Sequence, residues 1–269
     1  MRSAAVNNTE LAYVDEGPRD GTPIVFSHSL FFDHTMFEIH MELFAREGFR
    51  VVAYDHRNQG ASAPATRESL GMDTLTEDAA ALIEHLQLGR CHFVGNSMGG
   101  FVALRLAARR PDLLLSVTAL GSSAEEEYQL AEFAPLADHV SVHGIGQILD
   151  TVMYIMFGDT SLSLRPELCS RWRDFMASLG PSIAESAHGV IHRTRIIEEL
   201  HDCQVPVLAI AGNEDHAYPQ PISGVHIAAA TGGAETTVEG AGHSVAVEQP
   251  DIVAEYLRQH FVRSIKSLG

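Results

Sequence analysis

The sequence is short of positive charge: 18 lysines and arginines stand against 35 aspartates and glutamates, a formal net charge of −17 at pH 7. Nucleic acids and anionic membrane surfaces are bound through concentrated positive field, so neither is an expected partner, and a small neutral or apolar molecule fits better. Cysteine is equally scarce. Cys91, Cys169 and Cys203 are odd in number and far apart, with no C-x-x-C pair. Neither a disulfide framework nor a zinc knuckle is expected, and a reducing cytoplasm is the expected compartment. No apolar run approaches the roughly 18 residues of a spanning helix, and the opening MRSAAVNNTELAYVDEG lacks the apolar stretch of a secretion signal, so no membrane insertion is expected. The 15 histidines are scattered, none in an H-E-x-x-H or similar ligand spacing, so no metal site is expected. Homo-oligomerisation is left open.

What is present is alternation. With 269 residues, 45% of them apolar, the chain is long enough for one large α/β domain. Two alternating stretches flank Asn7 and Asn8, which tolerate left-handed turn geometry and predict an opening hairpin. Short β-rich runs follow at 23–28, 50–55, 91–96, 114–120, 205–212 and 236–240, mostly separated by helical segments. That pattern predicts a mostly parallel sheet covered on both faces. Thr74 and Glu77 read as a capping box before a stripe of Leu75, Ala79, Leu82, Ile83 and Leu86. Phe101, Leu104 and Ala108 share a face of a second helix that Pro111 ends.

Residues 124–203 break the alternation with about eighty residues of helix-like sequence. The expected layout is a core of residues 1–123 and 204–269 with a helical cap of residues 124–203 inserted between core strands. Phe133, Met153, Met156, Phe157, Trp172 and Met176 lie in this segment, where flexible thioethers and flat rings either line an apolar pocket or form the cap's own core.

The strongest local signal is Gly95-Asn96-Ser97-Met98-Gly99, a G-x-S-x-G match at the end of a predicted strand and the start of a predicted helix. Such a turn lifts a serine hydroxyl above the sheet, and glycines two residues either side let strand and helix approach. A serine hydroxyl needs an adjacent base, and the base an orienting acid. His243, in Gly240-Ala241-Gly242-His243-Ser244 after the last predicted strand, is the candidate base. Asp215, in GNEDH after the preceding strand, is the candidate acid, with Glu214 its immediate rival.

These blocks, with FSHSLFFDHTMFE (26–38) and YDHRNQGAS (54–62), resemble the α/β-hydrolase superfamily along nearly the whole chain outside residues 124–203. The order Ser97, Asp215, His243 matches that fold. The similarity is greatest to small bacterial arylesterases, cofactor-free haloperoxidase/perhydrolases and enol-lactonases, while GNSMGG also resembles meta-cleavage-product C–C hydrolases. The resemblance implies an oxyanion hole from the backbone N–H groups of Leu30 and Met98, the triplet His28-Ser29-Leu30 standing where relatives carry His-Gly-x. It places His28 and Ser29 near the substrate. It also implies a supporting turn around Asp55, Arg57 and Gly60, with Asn58 in place of a glycine. Ser97 at the elbow excludes the nucleophilic aspartate of dehalogenases and epoxide hydrolases.

The implied activity is acyl transfer on a small, largely apolar ester or lactone. C–C bond hydrolysis is the alternative, with Arg171, Arg173, Arg193 or Arg195 to hold a dienoate carboxylate. A ligand receptor or interaction module on the same fold is the alternative of another class. No cofactor is implied, since the G-x-G at Gly144 to Gly146 follows no clear strand.

Overall fold

The computed structural model describes residues 1–267. Eight strands form one sheet: β1 (Arg2–Val6), β2 (Thr9–Glu16), β3 (Pro23–Ser27), β4 (Arg50–Tyr54), β5 (Cys91–Asn96), β6 (Leu114–Leu120), β7 (Val207–Gly212) and β8 (Ala234–Val238). They are ordered β1-β2-β4-β3-β5-β6-β7-β8, with β2 antiparallel to β1 and β4 and the rest parallel. The predicted hairpin is present, Asn7 and Asn8 sitting at φ 44° and 58° between the paired Val6 and Thr9. The central strands read as unbroken apolar runs because helices cover both faces, and every residue of β4, β5 and β7 is buried. Pro206 has no N–H for a ladder, and β7 begins only after it.

The helices are α1 (Glu38–Arg46), α2 (Met72–His85), α3 (Met98–Arg109), α4 (Leu130–His143), α5 (Leu149–Met156), α6 (Asp159–Leu164), α7 (Pro166–Ala177), α8 (Ile183–Ile191), α9 (Ile197–Leu200), α10 (Val225–Thr231), α11 (Val245–Glu248) and α12 (Pro250–Ser267). The capping box is not formed. α2 starts earlier, with Gly71 at its N-cap and no side-chain cap, because Met72 joins Leu75 in the core and draws two further residues into the helix. Thr74 therefore lies inside the first turn. α3 is buried on all faces from Met98 to Ala107, and a 3-10 turn opening at Pro111 follows its end.

Helices α4 to α9 lie in the chain between the adjacent strands β6 and β7. They are tied to the rest of the fold at several points. Asn58, held at φ 65°, donates to the Ser182 carbonyl at 2.9 Å and the Ser186 hydroxyl at 3.1 Å. Arg67 pairs with Glu185, and Arg171 with Glu38. Such half-exposed pairs contribute about 0–1 kcal/mol each, so the apolar contacts beneath them carry most of the seating.

Candidate active site

The loops that matter leave the C-terminal ends of β3, β5, β7 and β8, the edge where parallel sheets bind ligands. At the end of β5, Ser97 occupies φ 50°, ψ −111°, a conformation that a non-glycine residue holds only under constraint. Its neighbours explain how. A Cβ on Gly95 would lie 2.0 Å from the Gly99 carbonyl oxygen, and one on Gly99 would lie 2.0 Å from that of Ser27. Strand, turn and helix therefore close on one another only without side chains at these two positions. The Ser97 N–H is held by Leu120 O at 2.8 Å, and Ser97 O receives the Ser122 hydroxyl at 2.9 Å.

The fold brings the three distant candidates together. His243 Nε2 lies 2.7 Å from Ser97 Oγ, and its Nδ1 lies 3.1 and 3.2 Å from the two carboxylate oxygens of Asp215. Asp215 is an acceptor only, so Nδ1 carries the proton and Nε2 is free to accept the serine's. Asp215 Oδ1 also receives the N–H groups of Ala217 and Tyr218 at 2.8 and 2.9 Å. All three side chains are buried. Glu214, the rival acid, points elsewhere: its carboxylate receives the N–H and hydroxyl of Thr160 at 2.7 and 2.6 Å.

The His243 loop is fixed from below. Asn96 donates to the His243 carbonyl at 2.9 Å, and Glu248 accepts the N–H groups of Gly158, Gly242 and Ser244. Burial raises the Glu248 carboxyl above its ordinary range despite those bonds.

His28 and Ser29 are fully buried and do not line the cavity, correcting the expectation that they border the substrate. They organise the loop instead. His28 Nδ1 donates to the Ser29 carbonyl at 2.8 Å, while its Nε2 accepts the His56 N–H at 3.0 Å. Burial pushes the His28 imidazole below its usual range, in keeping with a neutral ring that donates at one nitrogen and accepts at the other. With Ser29 C=O turned to His28, the trans peptide turns the Leu30 N–H the opposite way. Met98 opens α3, so its N–H is among those a helix leaves without an internal acceptor.

The supporting turn differs in part from expectation. Burial pushes the Asp55 carboxyl up, but the hydrogen bond from His34 and the backbone N–H groups of Ala61 and His34 outweigh it and hold the carboxyl low. Arg57 does not join Asp55. It forms a buried pair with Asp78 on α2 and donates to Asn7 O at 3.0 Å.

Above Ser97 and His243 opens a narrow apolar cavity. Its walls come from three helical stripes: Phe133, Leu136, Ala137 and Val140 on α4; Val152, Ile155 and Met156 on α5 with Ile148 just before it; Ala187, Val190 and Ile191 on α8. Leu30, Phe31, Ala217 and Tyr218 complete it. Of the pocket residues expected from sequence, Phe133 and Met156 are in this wall. Met153, Phe157 and Trp172 are not, and neither is Met176. They face away and pack as interior residues, all nearly inaccessible, with Phe32 6.2 Å from Phe157 and 4.5 Å from Trp172. The missed positions had a legible signal, the i, i+3, i+4 spacing of each stripe, continued to i+7 on α4. Size and softness of side chain, used instead, do not report which face a helix turns inward.

Among the described residues no arginine lines the cavity. Arg171, Arg173 and Arg195 are half-exposed and paired with Glu38, Asp150 and Glu198, and Arg193 is buried against Glu127. Among the described residues no helix is long and apolar enough to cross a membrane.

A model of the Alpha/beta hydrolase family matches residues 24–256. A 3-oxoadipate enol-lactonase of Acinetobacter baylyi is 27% identical over 199 residues, covering 74% of this chain and 73% of the relative. A bifunctional esterase/perhydrolase of Acinetobacter calcoaceticus is 26% identical over 238 residues, covering 81% and 83%. Among solved structures, an enol-lactonase from Burkholderia xenovorans superposes with a TM-score of 0.89 at 27% identity, over 97% of this chain and 100% of the other. A thermophilic esterase from Thermogutta terrifontis gives 0.85 at 25% identity, over 95% and 94%.

Proposed function

The chain belongs to the α/β hydrolase family, and from that premise we propose that it is a serine hydrolase of neutral, lipophilic carboxylic esters or lactones, working through an acyl-enzyme. The observation that carries the reading is the hydrogen-bonded series Ser97, His243, Asp215 at the floor of an apolar cavity. Ser97 Oγ attacks the acyl carbon as its proton passes to His243 Nε2, and Asp215 stabilises the imidazolium through Nδ1–H. The Leu30 and Met98 N–H groups receive the negative charge that forms on the acyl oxygen, a contribution worth about 3–4 kcal/mol per donor in comparable sites. Collapse expels the alkoxide, which takes the proton from His243. Water then repeats the sequence and releases the acid.

Substrate class follows from the lining. Apart from Ser97 and His243, the Tyr218 hydroxyl is the one polar side-chain group among the lining residues, and it is bonded to Glu127 and Arg193. A carboxylate entering this cavity would lose its hydration with no cation to replace it, a cost of several kcal/mol. That weighs against a dienoate or dicarboxylate substrate and hence against C–C hydrolysis. We further propose that helices α4 to α9 act as the cap, supplying the acyl-binding wall.

The test is an activity panel of p-nitrophenyl esters of rising acyl length, neutral lactones, an anionic succinyl ester and a ring-fission dienoate, with Ser97→Ala beside the wild type. The expected outcome is turnover of neutral medium-chain substrates, at least about a thousandfold lower kcat in Ser97→Ala, and poor use of both anions. Retained turnover without the hydroxyl rejects the nucleophile, and preference for an anion rejects the substrate class.

A further inference from the structure

The inserted helices begin and end beside one turn, the turn that carries Asp215. Ile196 N–H donates to Ala124 O at 2.9 Å, bringing the two ends of the insertion together. Next to that bond, Glu127 from the start and Arg193 from the end form an ion pair at 2.9 Å with both side chains 1% exposed. The Tyr218 hydroxyl stands against both, donating to Glu127 Oε2 at 2.6 Å and accepting from Arg193 at 3.1 Å. The Arg193 guanidinium lies over Phe101 at 4.2 Å and over Tyr218 at 5.1 Å, between the nucleophile's helix and the acid's loop. Tyr128 grips the same turn by donating to Ala217 O at 2.8 Å. On its other side the turn holds Asp215 by two N–H groups, and the Tyr218 ring stands edge-on to His243 with centroids 5.2 Å apart. The ion pair is thus one aromatic ring away from the imidazole.

A buried ion pair is weak support for stability, because desolvation consumes most of the Coulombic gain. What this pair does supply is a charge-balanced anchor for the turn. We propose that Tyr218 and the Glu127–Arg193 pair form a positioning unit that orients the Asp215–His243 couple and keeps its charge environment neutral; this rests on the hydrolase reading above. The groups facing His243 are Asp215 from the loop after β7, Ser97 from the elbow, Tyr218, and Glu248 of α11 beneath the loop, with Glu127 and Arg193 behind Tyr218. Neutralising Glu127 alone leaves an unbalanced cation near the imidazole and disfavours its protonation. Removing both charges restores the balance.

The experiment compares wild type, Glu127→Gln, the double variant Glu127→Gln/Arg193→Met and Tyr218→Phe. It reads the pH dependence of kcat/KM and, independently of turnover, the proton-NMR titration of the His243 Nδ1–H resonance, with thermal melts as a check on folding. In Glu127→Gln the acid limb and the titration move down by about one pH unit, the order that one uncompensated charge behind Tyr218 gives at an effective dielectric constant of about 20. In the double variant both return to the wild-type position, which a purely structural lesion would not produce. Tyr218→Phe, which keeps ring and charges, loses about tenfold in kcat with KM unchanged.

A folded Glu127→Gln that titrates like wild type, or a double variant that titrates like the single one, overturns the proposal. If Glu127→Gln does not fold, Tyr218→Phe with wild-type kcat overturns it. A wild type that hydrolyses no ester or lactone while the titrations move as stated sinks the hydrolase reading and leaves the positioning unit standing.

Discussion

The Trp172 and Phe32 rings lie 4.5 Å apart at 53°, joining α7 of the insertion to the loop that carries Leu30. Both are buried, and neither reaches the cavity. The contact therefore belongs to the seating of the inserted helices on the core. Trp172→Ala should cost about 3–5 kcal/mol of stability, the range for emptying a large aromatic site. Phe133→Ala, in the cavity wall and only partly buried, should cost less and instead shift preference toward bulkier acyl groups. Denaturant midpoints and a chain-length series on the two variants check this. A change of acyl preference in Trp172→Ala without loss of stability would contradict the assignment.

Adjacent carboxylates should behave as unequals. Asp215 faces His243, and Glu214 is bonded twice to Thr160. Asp215→Asn should lower kcat by roughly three to four orders of magnitude, since the amide favours the wrong imidazole tautomer. Glu214→Gln keeps shape and one acceptor, so kcat should stay within about tenfold, with a loss of about 1–3 kcal/mol in stability. Steady-state kinetics at neutral pH on both variants decide it, and equal losses would reject Asp215 as the acid.

Stability should decline on mild acidification. Burial pushes His40 down to about 4, His92 to about 3 and His260 to about 4, against an unfolded value near 6.5. With the folded values depressed, the unfolded chain takes up protons first. The stabilisation is complete above about pH 6.5 and is lost as pH falls from there toward the folded values. At pH 5 each histidine should account for about 1–2 kcal/mol. Glu248, raised by burial, and His34, raised by its hydrogen bond to Asp55, act in the opposite sense, while His28 and His56, which burial also lowers, add to the fall. Urea titrations from pH 7.5 to 5 should show the fall, and His40→Gln, which cannot protonate, should make it shallower by that one histidine's share. A flat profile in the wild type would refute the account.

Much of this was legible because it depends on neighbours in sequence. Asn7 and Asn8 announce a hairpin since they tolerate positive φ, and β5 reads as a buried parallel strand since every residue of CHFVGN is covered. The elbow is legible for the same reason: Gly95 and Gly99 are demanded by contacts within a few residues of Ser97. The start of α2 was misplaced because Met72 enters the helix for a tertiary reason, a place in the core, that overrides the local cap.

The sequence by itself determined the sheet, the strained serine and a histidine after the last strand, because spacing and turn chemistry act over short range. Only the tertiary structure decided which of Glu214 and Asp215 meets His243, since one residue of chain reverses the direction of a side chain and nothing local says which direction faces the imidazole. It also decided which apolar residues of the inserted helices line the cavity, and that Arg193 is spent on Glu127 and Tyr218 rather than offered to a ligand. These depend on how separate helices dock, and docking is set by the summed packing of faces that no single segment contains.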